Sequence, residues 1–314
     1  MITLCKKLQG NTNIYSGEAK VDIKLNSRLT TKYVALIAIF SALYAMLRYL
    51  PLGPMIGLAG TFSFSDALAP LIGIILGPFA GGISVIIGTF TAIALGKPVV
   101  FFGLDFLPAF INCIAMGFLI KRKWAPIIAL YAILLGIFIA SPYSSALIPV
   151  GSLAIPFTWL HIVAFILFLT PLRSKAVNNI KKFNTTNTTI EHLQSNWGII
   201  NRFIKRFNIP NMAWSLALLA FVGTMLQHIT GSLLTQLTLG VFAEGTDFTA
   251  LWTAIFYVYP FERILMVLIA VGIGVPLIIA VKRSMLPFET PINEEEKKTT
   301  SNSSLKENLS AKLS

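Results

Sequence analysis

A few ionisable or strongly polar side chains stand isolated within long apolar stretches: Arg48, Asp66, Lys97, Asp105, the pair Gln227-His228, and the pair Glu262-Arg263. In lipid, a lone charge at the bilayer centre costs about 2.5–3.5 kcal/mol on insertion scales, so each needs a partner or a task. Two uses compete. In one, Arg48 and Arg263 pair with Asp66, Asp105 or Glu262 and tie helix ends together. In the other, Arg48, Asp66, Asp105, His228, Glu262 and Arg263 line a pocket for a small polar or charged solute. The arginines then hold an anionic group, and the carboxylates accept hydrogen bonds. Glu262 and Arg263 are sequence neighbours, which do not face each other on a helix, so each is expected to find a different partner. Phe62, Phe64, Trp159, Trp252 and Tyr257 are candidate stacking walls, or members of an interfacial aromatic belt. His161 lies mid-run with no evident partner and reads as a packing histidine.

The elements that must position these residues are apolar helices. Of 314 residues, 55% are hydrophobic and 12% charged, against about 25% charged in soluble domains. Residues 1–32, 174–211 and 282–314 carry 26 of the 38 charges. The rest has too little polar surface for a soluble enzyme, a nucleic-acid-binding module or a disulfide scaffold. Eight runs approach the length of about 20 residues that spans a bilayer: 33–50, 66–80, 82–96, 99–120, 125–140, 153–172, 212–240 and 251–281. This predicts an all-α polytopic bundle in the cell membrane with both termini cytoplasmic. Lys and Arg gather on the cytoplasmic side of such proteins, and this topology puts 22 of the 25 inside. The net charge of +12 therefore reads as membrane topology rather than nucleic-acid binding. Within 66–96, Pro78 and Gly81-Gly82 predict a break into two spans; a single span would turn Lys121-Arg122-Lys123 outward. The isolated charges then converge near the outer face.

Five regions follow: a cytoplasmic tail (1–32), six membrane helices (33–173), a cytoplasmic linker (174–211), two membrane helices (212–283) and a disordered tail (284–314). In the linker, Trp197, Ile200, Phe203, Ile204 and Phe207 alternate with Arg202, Lys205 and Arg206 as a basic amphipathic segment for the inner membrane surface. The sequons at Asn184 and Asn187 fall inside and are discounted. Small residues form ridges where backbones can approach closely: Ala38 and Ala42 with Ser41 and Ala45, then Gly73, Gly77 and Gly81, then Ser84 and Gly88. The glycine ridges fit packing within the chain; the alanine ridge fits a partner subunit. Cys5 and Cys113 lack metal-ligand company. Gly96-Lys97-Pro98 is not a phosphate loop, and no H-E-x-x-H or G-x-S-x-G occurs. No enzyme activity, cofactor or resident metal is expected, and no acidic row marks an ion path.

The alanine ridge is followed by Pro51-Leu52-Gly53-Pro54, by Phe64-Ser65-Asp66-Ala67-Leu68-Ala69-Pro70, and by Leu76-Gly77-Pro78-Phe79-Ala80-Gly81-Gly82. Tyr259-Pro260 and Val275-Pro276-Leu277 close the pattern. Over 33–123 and 212–283 the chain resembles the S component, the substrate-binding membrane subunit, of an energy-coupling factor transporter. The resemblance implies a vitamin-like substrate bound at the outer side, and docking of Ala38 and Ala42 on a membrane coupling subunit. It also implies two ATPase subunits, and toppling in the membrane to release the solute. It implies a six-span core, so 125–211 reads as an inserted hairpin plus linker. Metal-specific relatives begin Met-His; this chain begins Met1-Ile2-Thr3, which argues against a metal substrate. A self-sufficient secondary transporter and a membrane scaffold without ligand are the contrasting classes.

Overall fold

The computed structural model describes residues 27–145, 147–182, 209–242 and 245–283. Residues 1–26, the C-terminal tail, the sequons and the amphipathic segment 197–207 lie outside these residues, whereas 27–32, expected as the end of the N-terminal tail, open the first helix. The chain divides into units 1–36 and 37–314. In the first, only the opening of one helix is described; the account below concerns the second.

The described residues form an all-α architecture with two small hairpins. Helix α1 (Ser27–Leu47) leads into strands β1 (Pro51–Pro54) and β2 (Thr61–Ser63), then α2 (Phe64–Leu76), α3 (Pro78–Ala94), α4 (Leu107–Ile120) and α5 (Ala125–Ala140). Strands β3 (Leu147–Val150) and β4 (Leu153–Pro156) precede α6 (Trp159–Leu169), α7 (Leu172–Lys182), α8 (Ile209–Phe242) and α9 (Phe248–Arg283). Both strand pairs are antiparallel.

Every apolar run thus contains a helix, with some shifted boundaries. The run 99–120 turns helical only at Leu107, and 153–172 opens with β4. The expected linker begins inside α7, which packs on α8, where Asn179 Nδ2 donates to Ser215 Oγ at 3.1 Å. Pro260 lies within α9.

The break in 66–96 falls at Gly77, whose φ of 79° is a conformation that glycine adopts without strain. Pro78 then starts α3, where its missing N–H costs nothing. A Cβ on Gly77 would lie 3.7 Å from Lys121 Cε at the end of α4, while Lys97 beyond α3 donates to Thr61 Oγ1 on β2, the strand that leads into α2. The chain therefore reverses at Gly77, and α2 and α3 run antiparallel.

Helices α8 and α9 are each long and apolar enough to cross a membrane. At 1.5 Å per residue, their 34 and 36 residues measure about 51 and 54 Å. Helices α6 and α7 form a pair bent by 67°, and the remaining apolar helices are shorter. The exposed stripes suit lipid. Phe79, Ile83, Ile87 and Phe90 face outward on α3, and Phe261, Ile264, Leu265 and Leu268 on α9, where Phe261 is 76% exposed. Water would make such patches association surfaces.

The interior is closed by small residues. Helix α2 is buried from Ala67 through Leu76 and packs on α4, α9, α3 and α8. A Cβ on Gly73 would strike the Cys113 carbonyl oxygen, and one on Gly117 would strike the Pro78 nitrogen. A Cβ on Gly81 would come within 2.8 Å of Cys113 Sγ, and one on Gly88 within 2.7 Å of the Ser41 oxygen. The glycine ridges thus pack within the chain. Gly136, by contrast, faces open space. Gly73→Ala and Gly117→Ala should each cost about 1–3 kcal/mol through overpacking. Gly136→Ala should stay within about 0.5 kcal/mol. Thermal unfolding of the purified protein in detergent micelles checks the contrast; equal stability of all three would refute the close approach.

Candidate functional site

All six residues singled out as pocket candidates line one cavity: Arg48, Asp66, Asp105, His228, Glu262 and Arg263. Gln227, Lys97, Phe62 and Trp252 line it too, whereas Phe64, Trp159 and Tyr257 do not. Its volume of about 100 Å³ far exceeds the roughly 10–15 Å³ that one water requires. Arg48 follows the end of α1, Asp66 opens α2, Lys97 follows α3 and Asp105 precedes α4. Gln227 and His228 come from α8, and Glu262 and Arg263 from α9. Ends of α1 to α4 and their loops therefore meet the middle turns of α8 and α9.

Asp66 is held from two sides. Its Oδ2 accepts the Ser63 backbone N–H at 2.9 Å, the reciprocal half of a capping box at the N-terminus of α2. Its Oδ1 accepts Gln227 Nε2 at 2.8 Å, and Gln227 Oε1 accepts Asn112 Nδ2 at 2.8 Å. A polar chain thus runs from the interior of α4 across α8 to α2. Gly223 makes room for it, because a Cβ there would strike Asn112 Oδ1. Asp105 serves its own loop: Oδ1 accepts Val100 N–H at 2.8 Å and Oδ2 accepts Phe101 N–H at 3.1 Å.

Arg263 is 1% exposed, lies 4.9 Å over the Phe62 ring and reaches Thr224 Oγ1 through Nη1 at 3.3 Å. Its Nη2 stands 3.5 Å from Glu262 Oε2, whose side chain is 18% exposed. The expectation of separate partners for these neighbours is thereby corrected: two long side chains bend around the helix and meet beside the cavity. No carboxylate among the described residues forms an ion pair with Arg48. Partial burial, and after it the charge of Arg48, holds the Lys97 ammonium below the ordinary lysine range.

Behind the cavity lies a stack of rings. His228 and Tyr259 stack at 4.8 Å, and His161 and His228 at 5.0 Å. His161 Nε2 and His228 Nδ1 share a hydrogen bond of 2.9 Å. His161 is therefore not a histidine without a partner; the partner comes from a helix far away in sequence. Phe157 stacks beyond it and its carbonyl accepts the Tyr259 hydroxyl at 3.0 Å, while the Tyr143 carbonyl accepts Trp252 Nε1 at 2.7 Å. Phe157 and His161, both from the segment read as an insertion, thus back the cavity wall.

Asn112 escaped the sequence reading, although it is the one amide in the run 99–120. A buried amide in an apolar helix needs a partner, and that signal was available. The partner itself was not, since Gln227 lies 115 positions away.

The chain matches no protein-family model, no curated protein and no solved structure.

Breaking the Asn112–Gln227 bond leaves a buried polar atom unpaired, which costs about 1–3 kcal/mol. Asn112→Leu and Gln227→Leu should each lower stability by that amount. Their double mutant should show a coupling energy of at least about 0.5 kcal/mol in a thermodynamic cycle. Strict additivity would exclude the bond.

Proposed function

We propose that this chain is the membrane-embedded solute-binding subunit of an ATP-driven importer of a vitamin-like small molecule. The observation that carries the reading is the gathering of six isolated polar residues around one cavity in a helical bundle. A scaffold would pair its charges across helices, yet Arg48 has no carboxylate partner among the described residues. The eight apolar runs are read as eight membrane spans with both termini cytoplasmic, which puts the cavity on the outer side. ATP hydrolysis is assigned to other chains, because this one has no phosphate loop. We assign Ala38 and Ala42 to docking on a membrane coupling subunit that carries two ATPase subunits. In support, both alanines are exposed while Ser41, Tyr44 and Ala45 on the same helix are buried. A smooth, outward-facing strip of small residues suits close helix packing in lipid.

Ala38→Leu with Ala42→Leu should abolish solute uptake and the recovery of the ATPase subunits in a pulldown from native membranes. Stability should stay within about 1 kcal/mol, since neither side chain is buried. Uptake that survives the double substitution, or a wild-type chain recovered without partners, would refute the docking assignment.

A further inference from the structure

Resting on the reading of this cavity as a solute site, its hydrogen-bonding inventory specifies what kind of solute. Two of the three carboxylates that line it already accept hydrogen bonds from the protein: Asp66 from Ser63 and Gln227, and Asp105 from two backbone N–H groups; Glu262 is ion-paired with Arg263 at 3.5 Å, beyond a good hydrogen bond. Trp252 and Tyr259 spend their polar hydrogens on carbonyls of Tyr143 and Phe157. Among the described cavity-lining residues, the buried side-chain atoms without a hydrogen-bond partner are Arg48 Nε, Arg263 Nε and Arg263 Nη2. All three are guanidinium donors, and Arg263 is almost wholly buried. A buried donor without an acceptor is costly, and guanidinium geometry matches an oxyanion.

The histidine pair adds a fourth donor. A hydrogen bond between two ring nitrogens needs one protonated and one bare. His161 Nδ1 is buried and has no partner. Orphaned buried N–H groups are rarer than under-satisfied acceptors, which puts the His161 proton on Nε2 rather than on Nδ1. His161 then donates to His228 Nδ1, and neutral His228 carries its own proton on Nε2. His228, whose ring lines the cavity, thereby presents a donor.

We infer that the cavity recognises the oxyanion of a small organic acid, carboxylate or phosphate, through Arg48, Arg263 and His228, with His161 as the positioning residue that keeps His228 a donor. The carboxylates Asp66 and Asp105 hold the wall rather than the solute.

The test uses the full chain in detergent and four probes with one ring: benzoate, phenyl phosphate, benzamide and benzylammonium. Binding is read as the rise in unfolding temperature over a concentration series. Benzoate or phenyl phosphate should stabilise, benzamide less, and benzylammonium not at all; the preferred anion separates the two acid classes. Arg263→Gln should weaken the anion by about tenfold or more, and Arg48→Gln provides the same test should the first variant not fold. His161→Leu should weaken the anion severalfold, while His161→Gln, which retains an N–H donor, should restore it. A purely packing role for His161 would not give that rescue. Stabilisation by benzylammonium but not by the anions, or by none of the probes, overturns the assignment of substrate class. Unchanged anion affinity in His161→Leu overturns the positioning role. The importer reading fails separately: a chain that binds the anions yet recovers no ATPase partners remains an acid receptor without that machinery.

Discussion

An apolar bundle tolerates a charge only where other groups solvate it, and Asp66 is where this constraint ties fold to cavity. Its two oxygens accept from Ser63 and Gln227, and Gln227 in turn accepts from Asn112. The start of α2, the middle of α8 and the interior of α4 are thereby brought into register. Each link would be expensive to leave unmade at low dielectric. The small residues answer the same demand. Gly223 clears space for Asn112, and Gly73 and Gly117 let α2, α3 and α4 approach until their backbones nearly touch.

The cavity divides its polar groups by task. Asp66 and Asp105 are satisfied internally and shape the wall, as Asp105 does for the loop at Val100 and Phe101. The guanidinium groups keep N–H donors in reserve. A site built this way is prepared for an acceptor, because binding would complete hydrogen bonds that the protein leaves open. The Phe62 ring under Arg263 helps hold that cation without consuming its N–H groups.

The segment between α4 and α8 also supports the cavity. Phe157, His161 and the Tyr143 carbonyl reach the rings of His228, Tyr259 and Trp252, which form one side of the cavity. Residues from this segment thus hold the rings that line the cavity. The outer surface of the same segment is plain: on α5 only Ile127, Tyr131 and Phe138 are buried, all on one face.

Much of this was legible in the sequence by itself. Hydropathy located a helix in every apolar run, Pro78 marked the break, although Gly81-Gly82 lie inside the helix it opens rather than interrupting it, and the isolated charges named six residues that line the cavity. These signals are local: they depend on the cost of an exposed backbone or a lone charge in lipid, which each segment bears whatever its neighbours. Which groups bond to which was decided by the tertiary structure alone. Asp66 with Gln227, Asn112 with Gln227, His161 with His228 and the turning of Glu262 toward Arg263 depend on the rotation of each helix about its axis. Nearly uniform apolar faces leave that rotation unmarked in the sequence; close packing at glycines and the need to pair buried polar atoms determine it.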